Sequence, residues 1–206
     1  MSERAVAERM HFTRMDRGTD ADFQILMRVH QRTLAELPDA LFRMLEDLSG
    51  DQAYNINRRD HGLQAATRAL RDGADEETVV VALLHDVGEA LGPMNHGEIA
   101  AAILHPFISE DNYWMLKHHG LFQTYFYASH LGLDPLARDR YKGHPAYDRT
   151  VEFCARWDEV SFDPAYPSEP LATFEPMVRR LLDKPWTPPG APVPNAPTSP
   201  PAAPPR

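Results

Sequence analysis

LLHDVGEAL, residues 83–91, places a histidine and an aspartate side by side at the end of an apolar run that begins at Val79. Residues 79–84 read VVVALL, so His85 and Asp86 continue a segment that ought to be buried. Burying a polar group without a partner costs roughly 2–7 kcal/mol, and a bare charge costs more. The stretch therefore predicts partners for both residues elsewhere in the chain.

The segments around it carry helix signals and no strand signals. Asp75, followed by Glu76 and Glu77, opens the helix that runs into His85, because a capping carboxylate and acidic first-turn residues suit the positive end of a helix. Residues 61–72 form the helix before it, ended by Gly73. Further upstream, Thr19 caps a helix whose apolar stripe runs through Phe23, Leu26, Met27, His30 and Leu34, at spacings of three and four. A second stripe from Asp39 carries Leu41, Phe42, Met44, Leu45 and Leu48 and stops near Gly50. Downstream, Asn95 with Glu98 resembles a capping box, which puts His96 in the first turn of a helix through Leu104. Ser109, Glu110 and Asp111 start another helix, closed by Gly120, and further helices are expected over 122–131, 135–142, 146–160 and 170–183. The fold class is all-α.

With 206 residues the chain suits one domain, over residues 1–184, followed by a tail. Residues 185–206 hold ten of the 19 prolines, a composition that builds neither helix nor sheet, so this tail is expected to be disordered and polyproline-like. The net charge of -9 and the lack of any Lys/Arg-rich block remove the electrostatic footprint of a nucleic-acid binder. The longest apolar runs are six residues, far short of the roughly 20 that cross a bilayer. A single cysteine, Cys154, and no signal-peptide pattern point to the cytoplasm. No feature specifies an oligomeric state.

Ten histidines are available as partners for the buried pair. His61, His85, Asp86, His96, His118, His119 and Asp158 fall on or near five expected helices, a dispersal that suits a metal site at the centre of a bundle. Asp158, in TVEFCARWDEV, shares a helical face with Val151, Cys154 and Ala155, so its carboxylate should point inward and need a cation. His30 sits on an apolar stripe and reads as a core histidine; His144, before Pro145, reads as a cap.

The order His61, His85-Asp86, His96, His119, Asp158 resembles the HD-domain superfamily of helical metalloproteins, over roughly residues 55–160. Single-metal HD phosphohydrolases use the first histidine, the His-Asp pair and the last aspartate; two additional histidines imply a dinuclear site with Asp86 as the bridge. NYWMLKHHG followed by VEFCARWDEVSFD is similar to the matching segments of myo-inositol oxygenase, and the short intervals between motifs are nearer those of the HD-domain phosphonate oxygenases. Those enzymes use a mixed-valent diiron centre with O2 to cleave a C–C or C–P bond. The resemblance implies one iron on His61, His85, Asp86 and Asp158, and the other on Asp86, His96 and His119. Imidazole and carboxylate donors suit iron or manganese and also accept zinc.

Departures from the family pattern bear on the substrate. Where many relatives carry Lys four residues after the His-Asp histidine, this chain has Glu89, which should face the site and meet an amine or other cationic group of a small-molecule substrate. His118 is expected as a substrate contact or a support for His119. Lys117, Arg58, Arg59 and Arg156 are possible anion contacts, each also readable as a solvated face residue. Three readings follow: a dinuclear-metal oxygenase acting on a small polar, amino- or phosphonate-bearing substrate; a metal-dependent phosphohydrolase; and a binding module with a structural metal and a recruiting tail.

Overall fold

The computed structural model describes residues 9–50 and 53–188. Among these residues every regular element is helical and none is a strand: α1 Asp20–Ala35, α2 Leu37–Asp47, α3 Arg58–Arg71, α4 Glu76–Leu84, α5 His96–Leu104, α6 Glu110–Thr124, α7 Tyr147–Phe153 and α8 Leu171–Leu182, with short 3-10 turns between them. The all-α reading holds. No helix among the described residues is long and apolar enough to cross a membrane.

The chain divides into two compact units, Met1–Leu34 with Pro185–Arg206, and Ala35–Lys184. In the first, Thr19 caps α1 as expected: its hydroxyl accepts from the Asp22 amide at 3.3 Å while the Asp22 carboxylate accepts from the Thr19 amide at 2.9 Å. His30 departs from the reading as a core histidine. It is half-buried, edge-on to Trp186 at 4.5 Å between ring centroids, and its Nδ1 has no hydrogen-bond partner. The described start of the Pro-rich tail thus includes Trp186, whose amide donates to Gln31 at 2.7 Å. The expected disorder from residue 189 onward lies outside the described residues.

The second unit is built around α4. A helix that is apolar on all sides belongs inside a bundle, and α4 is buried continuously from Thr78 to Leu84, packed by α3, α6 and α8. Asp75 caps it, accepting from the Thr78 amide at 2.8 Å. Gly62 lets α3 approach closely, since a Cβ there would stand 2.6 Å from the Leu83 carbonyl oxygen. Around this axis lie Leu41 and Leu45 of α2, Leu104 of α5, Met115, Leu116 and Phe122 of α6, Phe153 of α7 and Phe174 and Val178 of α8, all essentially inaccessible.

Several boundaries differ from the sequence reading for local reasons. α3 begins three residues before His61 because Asn57 caps it, accepting from the Asp60 amide at 2.8 Å. The Asn95 capping box does not form: its side chain makes no cap bond, although His96 does occupy the first turn of α5. Gly120 does not end α6, which continues to Thr124. The segments expected as helices over 122–131 and 135–142 are the end of α6 and two 3-10 turns, the first stopped by Gly132 in the left-handed region at φ 68°. The helix expected over 146–160 is α7 followed by one π turn, Cys154–Asp158.

Candidate metal centre

The last turn of α4 delivers two adjacent side chains to one place. Neighbouring residues of a helix point about 100° apart, but α4 ends at Leu84, and Asp86 has left helical geometry at φ -97°, ψ 3°. Both side chains consequently turn into the bundle, His85 inaccessible and Asp86 nearly so. The next turn, Val87–Ala90, lies against the start of α5 at Gly88, where a Cβ would sit 2.9 Å from the His96 carbonyl carbon and closer still to its oxygen. That contact needs glycine, and it brings His96 to Asp86.

Three other elements complete the cluster. His61 comes from the first turn of α3, His119 from the third turn of α6, and Asp158 from the π turn after α7, where the Glu159 amide bonds to the Cys154 carbonyl. The extra residue of a π turn re-aims the side chains that follow, and such turns gather at functional sites. The buried side of this segment is Phe153, Cys154, Trp157 and Asp158; Val151 and Ala155 are only half-buried. Asp158 points inward, as the sequence implied.

All six residues converge. Asp86 Oδ2 lies 3.5 Å from His61 Nε2 and 3.4 Å from His85 Nε2, while Oδ1 lies 3.2 Å from His96 Nε2 and 3.3 Å from His119 Nε2. Asp158 Oδ1 faces the first pair, 3.2 Å from His61 Nε2 and 3.5 Å from His85 Nε2. One carboxylate thus stands between two histidine pairs and a second closes the inner pair. Triads that could hold an ion arise as His61, His85, Asp86; as His85, His119, Asp158; and as Asp86, His96, His119.

The tautomers sharpen the chemistry. Each of the four rings has its Nδ1 on a backbone carbonyl: His61 on Ser161 at 2.8 Å, His85 on Ala82 at 2.9 Å, His96 on Pro93 at 3.0 Å and His119 on Leu116 at 2.7 Å. A carbonyl can only accept, so Nδ1 carries the proton and in the neutral ring Nε2 presents a lone pair. The Nε2 atoms then meet in pairs, His61 with His85 at 3.0 Å and His96 with His119 at 3.2 Å. Two lone pairs at that distance repel unless a cation lies between them. Asp158 Oδ2 is also buried without a hydrogen-bond partner. This donor set, imidazole nitrogens with carbonyl-anchored Nδ1–H groups plus two carboxylates, fits metal ions.

Protons alone would be held here too. Burial disfavours charge on His85, but Asp86 and Asp158 raise its pKa well above the ordinary 6.5; His96, also burdened by burial, is raised by Asp86. The carboxylates answer in kind. Burial works to raise Asp86 and Asp158, yet the surrounding histidines hold both well below the ordinary 3.8.

A cavity of about 960 Å³ opens onto the outer side of the cluster, lined among others by Arg58, His96, Lys117, His118, Gln123 and Phe162. His96 is the most accessible of the six, its side chain 20% exposed, whereas His61, His85 and Asp158 are fully covered. Lys117 and His118 also line this cavity. Because α6 continues through them, His118 turns away from the cluster: its Nδ1 donates to the Trp114 carbonyl at 2.8 Å and its ring stacks on Trp114 at 4.2 Å. Burial, with Lys117 nearby, lowers its pKa.

Glu89 does not stand open to a substrate cation. Its oxygens accept from Arg58 Nη2 at 2.6 Å and Nε at 3.0 Å, and the remaining Arg58 nitrogen, Nη1, lies 3.0 Å from Asp86 Oδ2. The place anticipated for a substrate amine is taken by the protein's own guanidinium. Arg58 is thereby corrected from a solvated residue to a buried one, 9% exposed. Arg59 and Arg156 do remain peripheral, paired with Glu46 and Asp60 and with Glu152 and Asp72. Sequence reasoning also passed over Gln123, which donates to Asp158 Oδ1 at 2.6 Å. Its position one helical turn after His119 was the available signal. Nothing comparable marks Phe162, which stacks on His61 at 4.4 Å.

A sequence model of the family described as HD domain matches residues 58–163, just over half of the 206-residue chain and the span that supplies every residue of the cluster. No curated protein matches the chain.

Proposed function

The chain belongs to the HD-domain family, and we propose that within it the protein is a dinuclear-metal oxygenase that cleaves a C–C or C–P bond of a small polar substrate, with O2 as the second substrate. The coarser statement, a metal-dependent HD-domain enzyme, rests on the family match and the His/Asp cluster. The dinuclear part of the finer one is supported by the number of ligands, and the choice of oxygenase over a two-metal phosphohydrolase by the resemblance of residues 112–120 and 151–163 to the diiron oxygenases. His61, His85 and Asp158 would hold an inner ion and His96 and His119 an outer one, with Asp86 bridging. A single-metal hydrolase has no use for His96 and His119, yet their Nε2 atoms meet at 3.2 Å over Oδ1 of the bridging carboxylate. That pair is the observation that carries the dinuclear reading.

Bound at these positions, iron would supply Lewis acidity and one-electron chemistry with O2. The chain's own part is to fix and shield. Carbonyl-anchored imidazoles hold their rings in one orientation, and Gln123 holds one oxygen of Asp158. The outer position has only three protein ligands and faces the cavity, which leaves room for a substrate oxygen. Lys117 and His118 on the cavity wall would contact the substrate beyond the ions.

Arg58 favours a second reading. Its guanidinium lines the cavity beside Asp86, where it offers a cation close to the one that relatives supply from a lysine, and this suits a phosphohydrolase. Anaerobic purification, metal analysis and EPR after partial oxidation separate the two. The oxygenase reading expects a coupled mixed-valent iron signal that changes when candidate substrates are added. Protein that carries zinc alone, or releases phosphate from phosphoesters with manganese and shows no iron-dependent oxygen uptake, overturns it.

A further inference from the structure

Asp86 is asked to do something a carboxylate does not do unaided, namely to present one oxygen to each of two histidine pairs from a turn that has already left the helix. Among the described residues its Oδ1 faces His96 and His119, and its Oδ2 faces His61, His85 and the Arg58 guanidinium at 3.0 Å. Carboxylates that bridge metals need such an orienting partner, since the bond to Cβ otherwise rotates freely. Arg58 is itself fixed. Glu89 takes its Nε and Nη2 in a two-pronged contact, 3.0 and 2.6 Å, that leaves Nη1 beside Asp86 Oδ2 as an ion pair at 3.0 Å without hydrogen-bond geometry. The Tyr54 ring covers the guanidinium at 4.7 Å.

We propose that Arg58 and Glu89 are positioning residues for the metal centre: the pair locks the Asp86 carboxylate in the bridging orientation and so determines whether the outer ion is held. The inference rests on the dinuclear reading given above. It also follows from the geometry that the two ions depend on the lock unequally. The inner position keeps His61, His85 and Asp158 if Asp86 turns, whereas the outer position is left with His96 and His119 alone. A guanidinium beside a metal site would by itself repel the ion, but Glu89 balances that charge from the other side, so the pair adds no net charge.

The charge-neutral double variant Arg58→Met with Glu89→Leu isolates the positioning role, because the net charge near the ions is unchanged. Metal uptake by the full chain is measured by calorimetric titration with Zn²⁺ and by the EPR signal of free Mn²⁺, with circular dichroism confirming the helical fold. Removing a group that orients a metal ligand typically costs about 10–100-fold in affinity. The expected result is that loss at the outer position, with stoichiometry falling from two ions to one at sub-saturating metal and the inner affinity kept. Arg58→Lys, which cannot make the two-pronged contact, should recover only part of the outer affinity. A folded double variant that binds two ions as tightly as the wild type, even with a lower melting temperature, overturns the proposal and leaves the dinuclear reading standing. Wild-type protein that binds fewer than two ions overturns the dinuclear reading and the proposal together.

Discussion

Replacing Gly88 by alanine should separate the two halves of the candidate centre without touching any ligand side chain. A Cβ at this position would stand 2.9 Å from the His96 carbonyl carbon and 3.0 Å from its Cα, against the 3.4–4 Å of ordinary contact, with the carbonyl oxygen nearer still. These are backbone atoms of two packed elements, so no rotamer change relieves the overlap. The turn 87–90 and the first turn of α5 must part by about half an ångström or more, whereas metal–ligand distances tolerate only about 0.2 Å. Overpacking of this kind costs about 1–3 kcal/mol of stability, which a folded domain survives. His96, carried on α5, moves away from Asp86; His61, His85 and Asp158 lie on elements that the substitution does not displace. Titration with Zn²⁺ or Mn²⁺ should therefore show the inner ion bound nearly as in wild type and the outer affinity reduced by about tenfold or more, the scale of losses seen when ligand orientation is disturbed. Gly50→Ala is the control, since a Cβ there meets nothing within 4 Å among the described residues. Two ions bound to the Gly88→Ala protein with wild-type affinity would refute the claim that this glycine contact sets the approach of His96.

Three further outcomes follow from the same geometry. Asp158→Asn keeps the shape and the hydrogen bond from Gln123 but removes the charge facing His61 and His85, so the inner ion should be lost first; unchanged two-ion uptake would remove Asp158 from the ligand set. In chelated protein, His85 and His96 have pKa values raised in the fold, so their contribution to stability is complete below the unfolded value of 6.5 and is lost as pH rises through the folded values; Asp86 and Asp158, lowered in the fold, contribute fully above 3.8 and lose it as pH falls. The melting temperature without metal should thus be highest between about pH 4 and 6.5 and decline toward pH 9, where added metal restores it; a metal-free protein most stable at pH 9 would contradict the assignment. Burial holds the Cys154 thiol well above its ordinary 9.0, so native protein should resist a thiol reagent at pH 8 and react at one site per chain only when unfolded.

What could be read from the sequence, and what could not, divides along physical lines. The central helix was legible because VVVALL leaves no polar face, and such a helix has to be buried on all sides. The cluster was legible for a related reason: His85, Asp86 and Asp158 each continue an apolar environment and so each demanded a partner. Local errors came from signals with two meanings. Gly120 reads as a helix stop, but it lies under the ring of His96, whose Cε1 would be 3.8 Å from a Cβ, and the helix passes through it. Asn95 reads as a cap, while it is the Pro93 carbonyl that orders this turn by accepting from His96 Nδ1 at 3.0 Å. The π turn at Cys154–Asp158 leaves no mark in composition, since its one-residue shift appears only as a change in which side chains are covered.

Arg58 was out of reach for a different reason, and that reason bears on its role. An arginine in the first turn of a helix is ordinarily solvated, and nothing within α3 requires it to be buried. It is buried because Glu89, 31 residues later, meets it with both oxygens. Glu89 looked like a vacant acid only because its partner was hidden by the same distance in sequence. Two opposite charges that each seemed to need an external partner satisfy one another, and the guanidinium they fix is held 3.0 Å from Asp86 as an ion pair. A substrate cation is therefore not required by Glu89. Among the described residues the cavity wall carries charges of both signs outside any ion pair, Glu98 and Glu159 as well as Lys117 and Arg140, and an anionic group of a substrate would meet the two cations. Substituting both by methionine should weaken binding of an anionic candidate more than that of its neutral analogue; equal loss for the two would place recognition elsewhere.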